Sequence, residues 1–397
     1  MQVPPFSLSR QLSELAPDLN AAVLRVLQSG HYIGGTEVKT FEKSFAAYVG
    51  VNHAVGCNSG TDALVLALRA LDIGEGDEVI TCSFSFFATA EAISAVGATP
   101  VFVDVDPNNY LINLSQLEEK ITSATKAILP VHLFGCPVDM EQVMDVAKKN
   151  GLKVIEDCAQ ACGAQWRGKS VGSWGDVGCF SFFPTKNLGA AGDGGAITTQ
   201  DAELARRMRE LAVHGMPRRY LHAELGYNSR LDALQAAVLN VKLPKLVGWV
   251  KQRQMIANRY TELLKNLPGL GVPEKAHSLK MTHAWNQFVV RVKSCESTVS
   301  SLENQLKPFD FDLEKDPAKT NARDRLKNSL HDQGVDTIIY YPIPIHLQPA
   351  YAEVEYKAGS LPITEKLCEE VLSLPIFPEI TLEQQMHVVN IISEIFT

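Results

Sequence analysis

The sequence predicts an α/β protein with a mostly parallel central sheet and a smaller C-terminal α+β lobe, on three observations. From about residue 50 to 200, short apolar runs alternate with helix-length amphipathic segments. Those runs are continuously apolar rather than alternating, as strands covered by helices on both faces require. From about residue 270 the periodicity resets, and strand-like and helical segments follow in a new pattern.

The elements read in order. HAVGC (53–57) precedes the helical run TDALVLALRALDI, and GDEVIT (76–81) precedes FATAEAISAVG. TPVFVDVD (99–106) leads to a helix over LSQLEEKI, KAILPVHL (126–133) to DMEQVMDVAKKNG, and then comes LKVIEDCA (152–159). Gly74 and Gly76 separate a helix from a strand, and Asn150-Gly151 closes a helix as a C-terminal cap. DAELARRMRELAVHG is helical, as is the long stretch from LDALQAAV to ELLKNL, which Pro244 should kink or break. In the last part, WNQFVVRVK (285–293) and VDTIIYYP (335–342) read as strands, and TEKLCEEVLSL and LEQQMHVVNIISEIF as helices. Polar, weakly patterned residues at about 295–321 read as a surface insertion. The expected division is a large domain over 1–250, with an N-terminal arm, and a small domain over 251–397.

Composition narrows the function classes. At 397 residues, 46% apolar and 21% charged, the chain is long enough for two lobes and ordinary for a soluble protein. Its net charge of -8 argues against a nucleic-acid surface, which carries a basic stripe. The opening MQVPPFSLSRQL lacks a secretory pattern, and no apolar run is long enough to cross a bilayer. Eight scattered cysteines without a CxxC pair argue for buried free thiols and a reducing cytoplasm.

Four stretches fall where such sheets place ligands, at the carboxyl ends of strands. Asn58-Ser59-Gly60-Thr61-Asp62 lies between a strand and a helix, where first-turn amides and the helix dipole favour an anion. The same residues also make an ordinary helix cap. Glu156-Asp157 ends an apolar strand, and buried acids must be solvated, paired or functional. Asp157 is suited to holding the proton of a ring nitrogen, and equally to capping a helix or pairing in a loop. In GDVGCFSFFPTKNLGAAGDGGAITT, an apolar strand runs into Lys186 and a glycine-rich loop. An apolar pocket lowers a lysine pKa and frees the amine for imine formation. Gly189, Gly192, Gly194 and Gly195 permit tight turns there, and Ser181 is placed to offer a hydroxyl to a phosphate. Phe84-Ser85-Phe86-Phe87 supplies aromatics for core packing or for stacking on a flat ring. Nucleotide-loop motifs and a GxSxG elbow are missing, and His132, His214, His222, His331 and His346 are not at zinc-ligand spacings.

Together, SGTDAL (59–64), EDCAQACGA (156–164), SFFPTKNLGAAGDGGAI (181–197), GYNSRLDALQAA (226–237) and YPIPIHLQPAY (341–351) resemble one family. It is the DegT/DnrJ/EryC1/StrS group of pyridoxal-phosphate-dependent sugar aminotransferases, which have the aspartate-aminotransferase (type I) fold. The resemblance implies that Lys186 holds the cofactor as a Schiff base and moves protons, while Asp157 pairs with the pyridine nitrogen. It places Gln160 against the phenolic oxygen, Gly60, Thr61 and Ser181 on the phosphate, and Phe86 over the ring. Asn228 would reach the phosphate in the partner subunit of a homodimer with shared active sites. Tyr341 and His346 fall on the sugar-binding side, where this chain reads Tyr340-Tyr341-Pro342 and relatives usually read His-Tyr-Pro.

The implied reaction moves an amino group from L-glutamate to a nucleotide-linked keto sugar, with a dTDP-3-keto-6-deoxyhexose as the first expectation. A UDP-3-keto or NDP-4-keto sugar is the alternative, as is a non-catalytic regulatory protein that keeps the fold. Lys186 argues against the dehydratase branch, which carries histidine at that position.

Overall fold

The computed structural model describes residues 1–273, 280–293, 321–354 and 356–396. Helices α1 (Ser9–Ser29) and α2 (Gly35–Val49) precede strand β1 (His53–Cys57). Then come α3 (Gly60–Ala70), β2 (Glu78–Cys82), α4 (Ala88–Ala95), β3 (Thr99–Val103), β4 (Thr125–Ile128), α5 (Met140–Asn150) and β5 (Lys153–Asp157). A short hairpin, β6 (Gln165–Trp166) and β7 (Lys169–Ser170), leads to β8 (Val177–Ser181) and β9 (Gly195–Thr199). Helices α6 (Ala202–Leu211), α7 (Ala233–Lys242) and α8 (Leu246–Leu264) follow. The last part holds β10 (Leu270–Gly271), β11 (Met281–Thr282), β12 (Phe288–Val292), α9 (Ala322–Asp332), α10 (Pro362–Glu370), β13 (Val371–Leu374) and α11 (Leu382–Phe396).

The main sheet has seven strands in the order β1-β9-β8-β5-β4-β2-β3. Its pairings from β8 through β5, β4 and β2 to β3 are parallel, and only β9 runs against its neighbours. Because β9 is antiparallel to both β1 and β8, those two strands point the same way. The carboxyl ends of β1, β2, β5 and β8 therefore share one edge of the sheet.

Alternate residues of these strands face different cores, as the two-residue period of a strand dictates. Val55, Cys179 and Ile197 pack under α3 to α6, while Ala54, Phe180 and Ala196 face α2, α7 and the start of α8. Phe41, Phe45, Phe180 and Phe182 interlock edge to face in that second core. A third core joins the β10-β12-β13 sheet to α8, α9 and α11, and it includes Val3 from the N-terminal segment. Helix α8 passes from one core to the other between Val250 and Ile256. Pro244 lies in the single 3-10 turn, Leu243–Lys245, that separates α7 from α8.

Three expectations are corrected. LSQLEEKI forms two 3-10 turns, Leu114–Gln116 and Glu118–Lys120, rather than an α-helix. Asn113 accepts the backbone N–H and the hydroxyl of Ser115 at its own side chain, which favours a local turn over a helix. The helix over TEKLCEEVLSL ends at Glu370, and VLSL becomes β13, fully buried and paired with β12. VDTIIYYP makes only isolated bridges, Val335 to Val3 and Ile338 to Ser373. Beyond Ile338 the chain leaves the small sheet and carries Tyr341 to Gln160. The insertion expected at 295–321 lies, apart from Asn321, outside the described residues. Among those described, no helix is long and apolar enough to cross a membrane.

Candidate active site

At the end of β1, Ser59 adopts an extended backbone and caps α3, its Oγ accepting the Asp62 N–H at 3.1 Å. That cap leaves Gly60 and Thr61 as first-turn residues whose amides have no intrahelical acceptor. Gly60 abuts the end of β8: a Cβ built on it would stand 2.7 Å from the Cβ and 3.3 Å from the Oγ of Ser181. Two strand ends thus bring free amides and a hydroxyl together over a dipole that favours a negative group.

The acidic pair at the end of β5 splits. Glu156 points into the protein, where its two oxygens accept the N–H groups of Gly172, Trp174 and Gly175 and the Nε2–H of His132. His132 Nδ1 accepts the Val138 N–H at 3.0 Å, which puts the ring proton on Nε2, toward Glu156. His132, Glu156 and Cys158 bring potential metal-ligand atoms within 4.8 Å of one another, yet these bonds already engage the histidine and the carboxylate. Glu156 is accounted for by structure.

Asp157 turns the other way. Only 5% exposed, its Oδ2 accepts the Thr89 hydroxyl at 2.8 Å and its Oδ1 the Ala159 N–H at 3.1 Å. Burial raises its pKa, against the pull of those two donors and of the Lys186 charge. Burial likewise lowers Lys186 to about 8, while Asp157 opposes the shift. Asp157 is buried and Lys186 partly so, and the two are close enough for their charges to act on each other, burial pushing the carboxyl up and the amine down.

The segment around Lys186 is fixed by its neighbours. Its N–H closes a turn onto the Phe183 carbonyl, and Asn187 is clamped between the Ala284 carbonyl and the Asn286 amide. The buried Lys242 ammonium donates to the Gly189 carbonyl at 2.8 Å. The four glycines of the following loop serve close approach, not unusual backbone: none has a positive φ. A Cβ at Gly189 would collide with the Pro184 carbonyl, and one at Gly195 with that of Ser59.

Gln160 faces the same space. Its Oε1 accepts the Phe134 N–H at 2.7 Å, and its Nε2 donates to the Tyr341 hydroxyl at 2.8 Å. One Nε2 hydrogen remains, so the side chain presents a donor. Phe86, 59% exposed, stands 6.2 Å from the Tyr341 ring, while Phe84 is buried against Tyr110, Phe134 and Tyr341.

The structure does not bring every candidate to this place. Asn228 is exposed and its Oδ1 accepts from Arg230. His346 is 1% exposed, with Nδ1 bonded to Ser83 Oγ at 2.7 Å and Nε2 to Glu365 Oε1 at 3.2 Å, so both nitrogens are engaged within the protein. Sequence reasoning passed over Thr89, which touches Asp157, and Ser85, which bonds to Thr89 at 2.8 Å. A hydroxyl pair spaced four residues apart at the opening of α4 was the available signal.

The sequence matches the DegT/DnrJ/EryC1/StrS aminotransferase family over residues 14–315 and 309–393. A pleiotropic regulatory protein of Geobacillus stearothermophilus is 45% identical, over 100% of this chain and 99% of the relative. The UDP-N-acetyl-3-dehydro-alpha-D-glucosamine 3-aminotransferase of Acidithiobacillus ferrooxidans is 45% identical, over 98% of this chain and 97% of that one. The dTDP-3-amino-3,4,6-trideoxy-alpha-D-glucose transaminase of Streptomyces venezuelae is 42% identical, over 99% and 96%. In solved structures, S. venezuelae DesV in complex with a ketimine intermediate superposes with a TM-score of 0.89 at 42% identity, covering 99% of this chain and 98% of that one. NtdA from Bacillus subtilis with its bound cofactor PMP does so at 0.86 and 32% identity, covering 100% and 86%.

Proposed function

The chain belongs to the DegT/DnrJ/EryC1/StrS aminotransferase family and is a pyridoxal-phosphate-dependent sugar aminotransferase, and from that premise we propose that it moves an amino group from L-glutamate to a nucleotide-linked 3-keto sugar. One observation supports the site assignment: β5 and β8 are parallel neighbours, so Asp157 at the end of one and Lys186 just beyond the other come to the same carboxyl edge of the sheet, where their charges act on each other.

The residues fit the cofactor. Gly60 lets the first turn of α3 close onto Ser181, so that free amides and a hydroxyl stand side by side, which suits a phosphate. Asp157 is placed to accept a ring N–H, and the spare hydrogen of Gln160 Nε2 to meet a phenolic oxygen. Phe86 offers an exposed ring face for stacking. When bound, pyridoxal phosphate supplies an electron sink that lets a proton leave the amine-bearing carbon. Lys186 attaches the cofactor through its neutral amine, is displaced by the incoming amino donor, and then carries the proton to and from that carbon. The burial that lowers its pKa to about 8 in the cofactor-free protein favours the neutral amine that attachment needs.

In this reading the enzyme is a cytoplasmic homodimer whose Asn228 reaches the partner's phosphate. Asn228 is exposed within one chain, which suits that use although its Oδ1 holds Arg230, and the described cysteines are free and buried, which suits a reducing compartment. Mixing inactive Lys186→Ala with inactive Asn228→Ala subunits should restore part of the activity if sites are shared, and none otherwise.

The sugar acceptor is read as a dTDP-3-keto-6-deoxyhexose, after the dTDP-sugar relative. The UDP-sugar relative is as similar and supports a UDP-3-keto sugar as the second reading. A panel of dTDP- and UDP-linked 3-keto and 4-keto sugars, scored by return of the glutamate-treated enzyme to its starting spectrum, separates them. Turnover of 4-keto sugars alone would overturn the 3-keto assignment. A purely regulatory role, the function named for the Geobacillus relative, would leave glutamate without effect.

A further inference from the structure

The geometry points to Ser85 and Thr89 as a hydroxyl relay that positions Asp157 and keeps it ionised toward the cofactor ring; this rests on the assignment of Asp157 to the ring nitrogen. Thr89 Oγ1 lies 2.8 Å from Asp157 Oδ2 and 2.8 Å from Ser85 Oγ. An ionised carboxylate only accepts, so the Thr89 proton points at Asp157. The Thr89 oxygen then accepts from Ser85, and the proton order along the relay is settled. Both hydroxyls are buried, 4% exposed at Ser85 and 1% at Thr89, so water does not substitute for either.

The relay matters because Asp157 is poorly provided for. Burial favours its neutral form, and three groups nearby oppose that most strongly: the Ala159 amide, the Thr89 hydroxyl and the Lys186 charge. Once Lys186 is joined to the cofactor its charge stays only while the shared nitrogen is protonated, and His132 adds a smaller pull; the two hydrogen-bond donors remain at every pH. Bonds of this charge-assisted kind are the stronger ones. The relay also starts beside the candidate stacking ring, since Ser85 and Phe86 are neighbours and the Thr89 N–H bonds the Phe86 carbonyl. One short segment thereby sets the ring face and the charge under the ring nitrogen together.

Losing the Thr89 donor makes Asp157 more basic, and it draws the shared proton away from the ring nitrogen. A less positive ring repels the protonated lysine–cofactor nitrogen less, so that nitrogen keeps its proton to higher pH. The full-length protein is measured as wild type, Thr89→Val, Thr89→Ser, Ser85→Ala and Asp157→Asn. Two readouts serve: the dissociation constant of pyridoxamine phosphate, and the pH midpoint of the absorbance change of bound pyridoxal phosphate.

In Thr89→Val, binding is expected to weaken about tenfold and the midpoint to rise by roughly half a unit. Thr89→Ser restores both, and Ser85→Ala shifts both in the same direction by less. A purely structural threonine would alter stability and leave the midpoint where it was. Wild-type values in Thr89→Val, with both readouts altered in Asp157→Asn, overturn the relay and leave Asp157 in place. Unaltered readouts in Asp157→Asn overturn the site assignment itself. If Thr89→Val does not fold, Ser85→Ala decides: a wild-type midpoint there overturns the relay.

Discussion

Gly60 and Ser181 meet so closely that a single methyl group on the glycine would stand 2.7 Å from the serine Cβ. The contact joins the start of α3 to the end of β8, an approach that a side chain at the glycine would block. Gly60→Ala is expected to push Ser181 off its position and part its hydroxyl from the free amides of α3. Cofactor affinity should fall tenfold or more, since overpacking of this kind costs about 1–3 kcal/mol. Fluorescence titration with pyridoxal phosphate measures it, and unchanged affinity would separate this contact from phosphate binding.

Glu156 is the other half of the acidic pair, and its four donors make it a stability element. Glu156→Ala removes the acceptor from three backbone amides and from His132 at once. A cost of several kcal/mol is expected, since each buried donor left without an acceptor costs about 1–3 kcal/mol. Urea unfolding of the cofactor-free protein gives the value; a loss below about 1 kcal/mol would show that the amides find other partners.

Much of this was legible in the sequence because the α/β lobe repeats strong signals. Continuous apolar strands and capped helices come in order, and the ligand-facing residues follow strand ends by rule. Val371–Leu374 was not legible as a strand: four apolar-flanked residues after a helical run carry no period of their own, and only pairing with β12 decides. Similarly, Asn113 turned LSQLEEKI into 3-10 turns through bonds of its own side chain. Glu156 and Asp157 looked alike because the two-residue period of a strand tells which sides they face, not what waits there. For His346 the motif offers a substrate-side residue, while its bonds to Ser83 and Glu365 come from distant segments and could not be read there. Thr89 stayed hidden for the same reason, being 68 residues from its partner.

Tyr341 connects the C-terminal part of the chain to the site through one bond to Gln160. Tyr341→Phe keeps the ring against Phe84 and Phe86 and removes only that acceptor. A loss of about 1 kcal/mol in unfolding free energy is expected, with the glutamate half-reaction retained and the sugar KM raised. Loss of the half-reaction would assign the hydroxyl to the chemistry instead.

The pH dependence follows from Lys186. Burial lowers its pKa to about 8, so in the cofactor-free protein the reactive neutral amine grows as pH rises toward 8 and saturates above it. The rate of cofactor capture should rise about tenfold per unit below that point and level off beyond it. A rise that continues toward the ordinary lysine range would mean that the amine is not desolvated. Asp157→Asn removes the group that opposes the shift, and should move the midpoint lower.

The central claim is that Lys186 is the residue to which the cofactor is attached. Purified protein supplied with pyridoxal phosphate should absorb at roughly 400–430 nm, lose that band on addition of L-glutamate, and lack it in Lys186→Ala. A Lys186→Ala protein that keeps both the band and its response to glutamate would contradict the account.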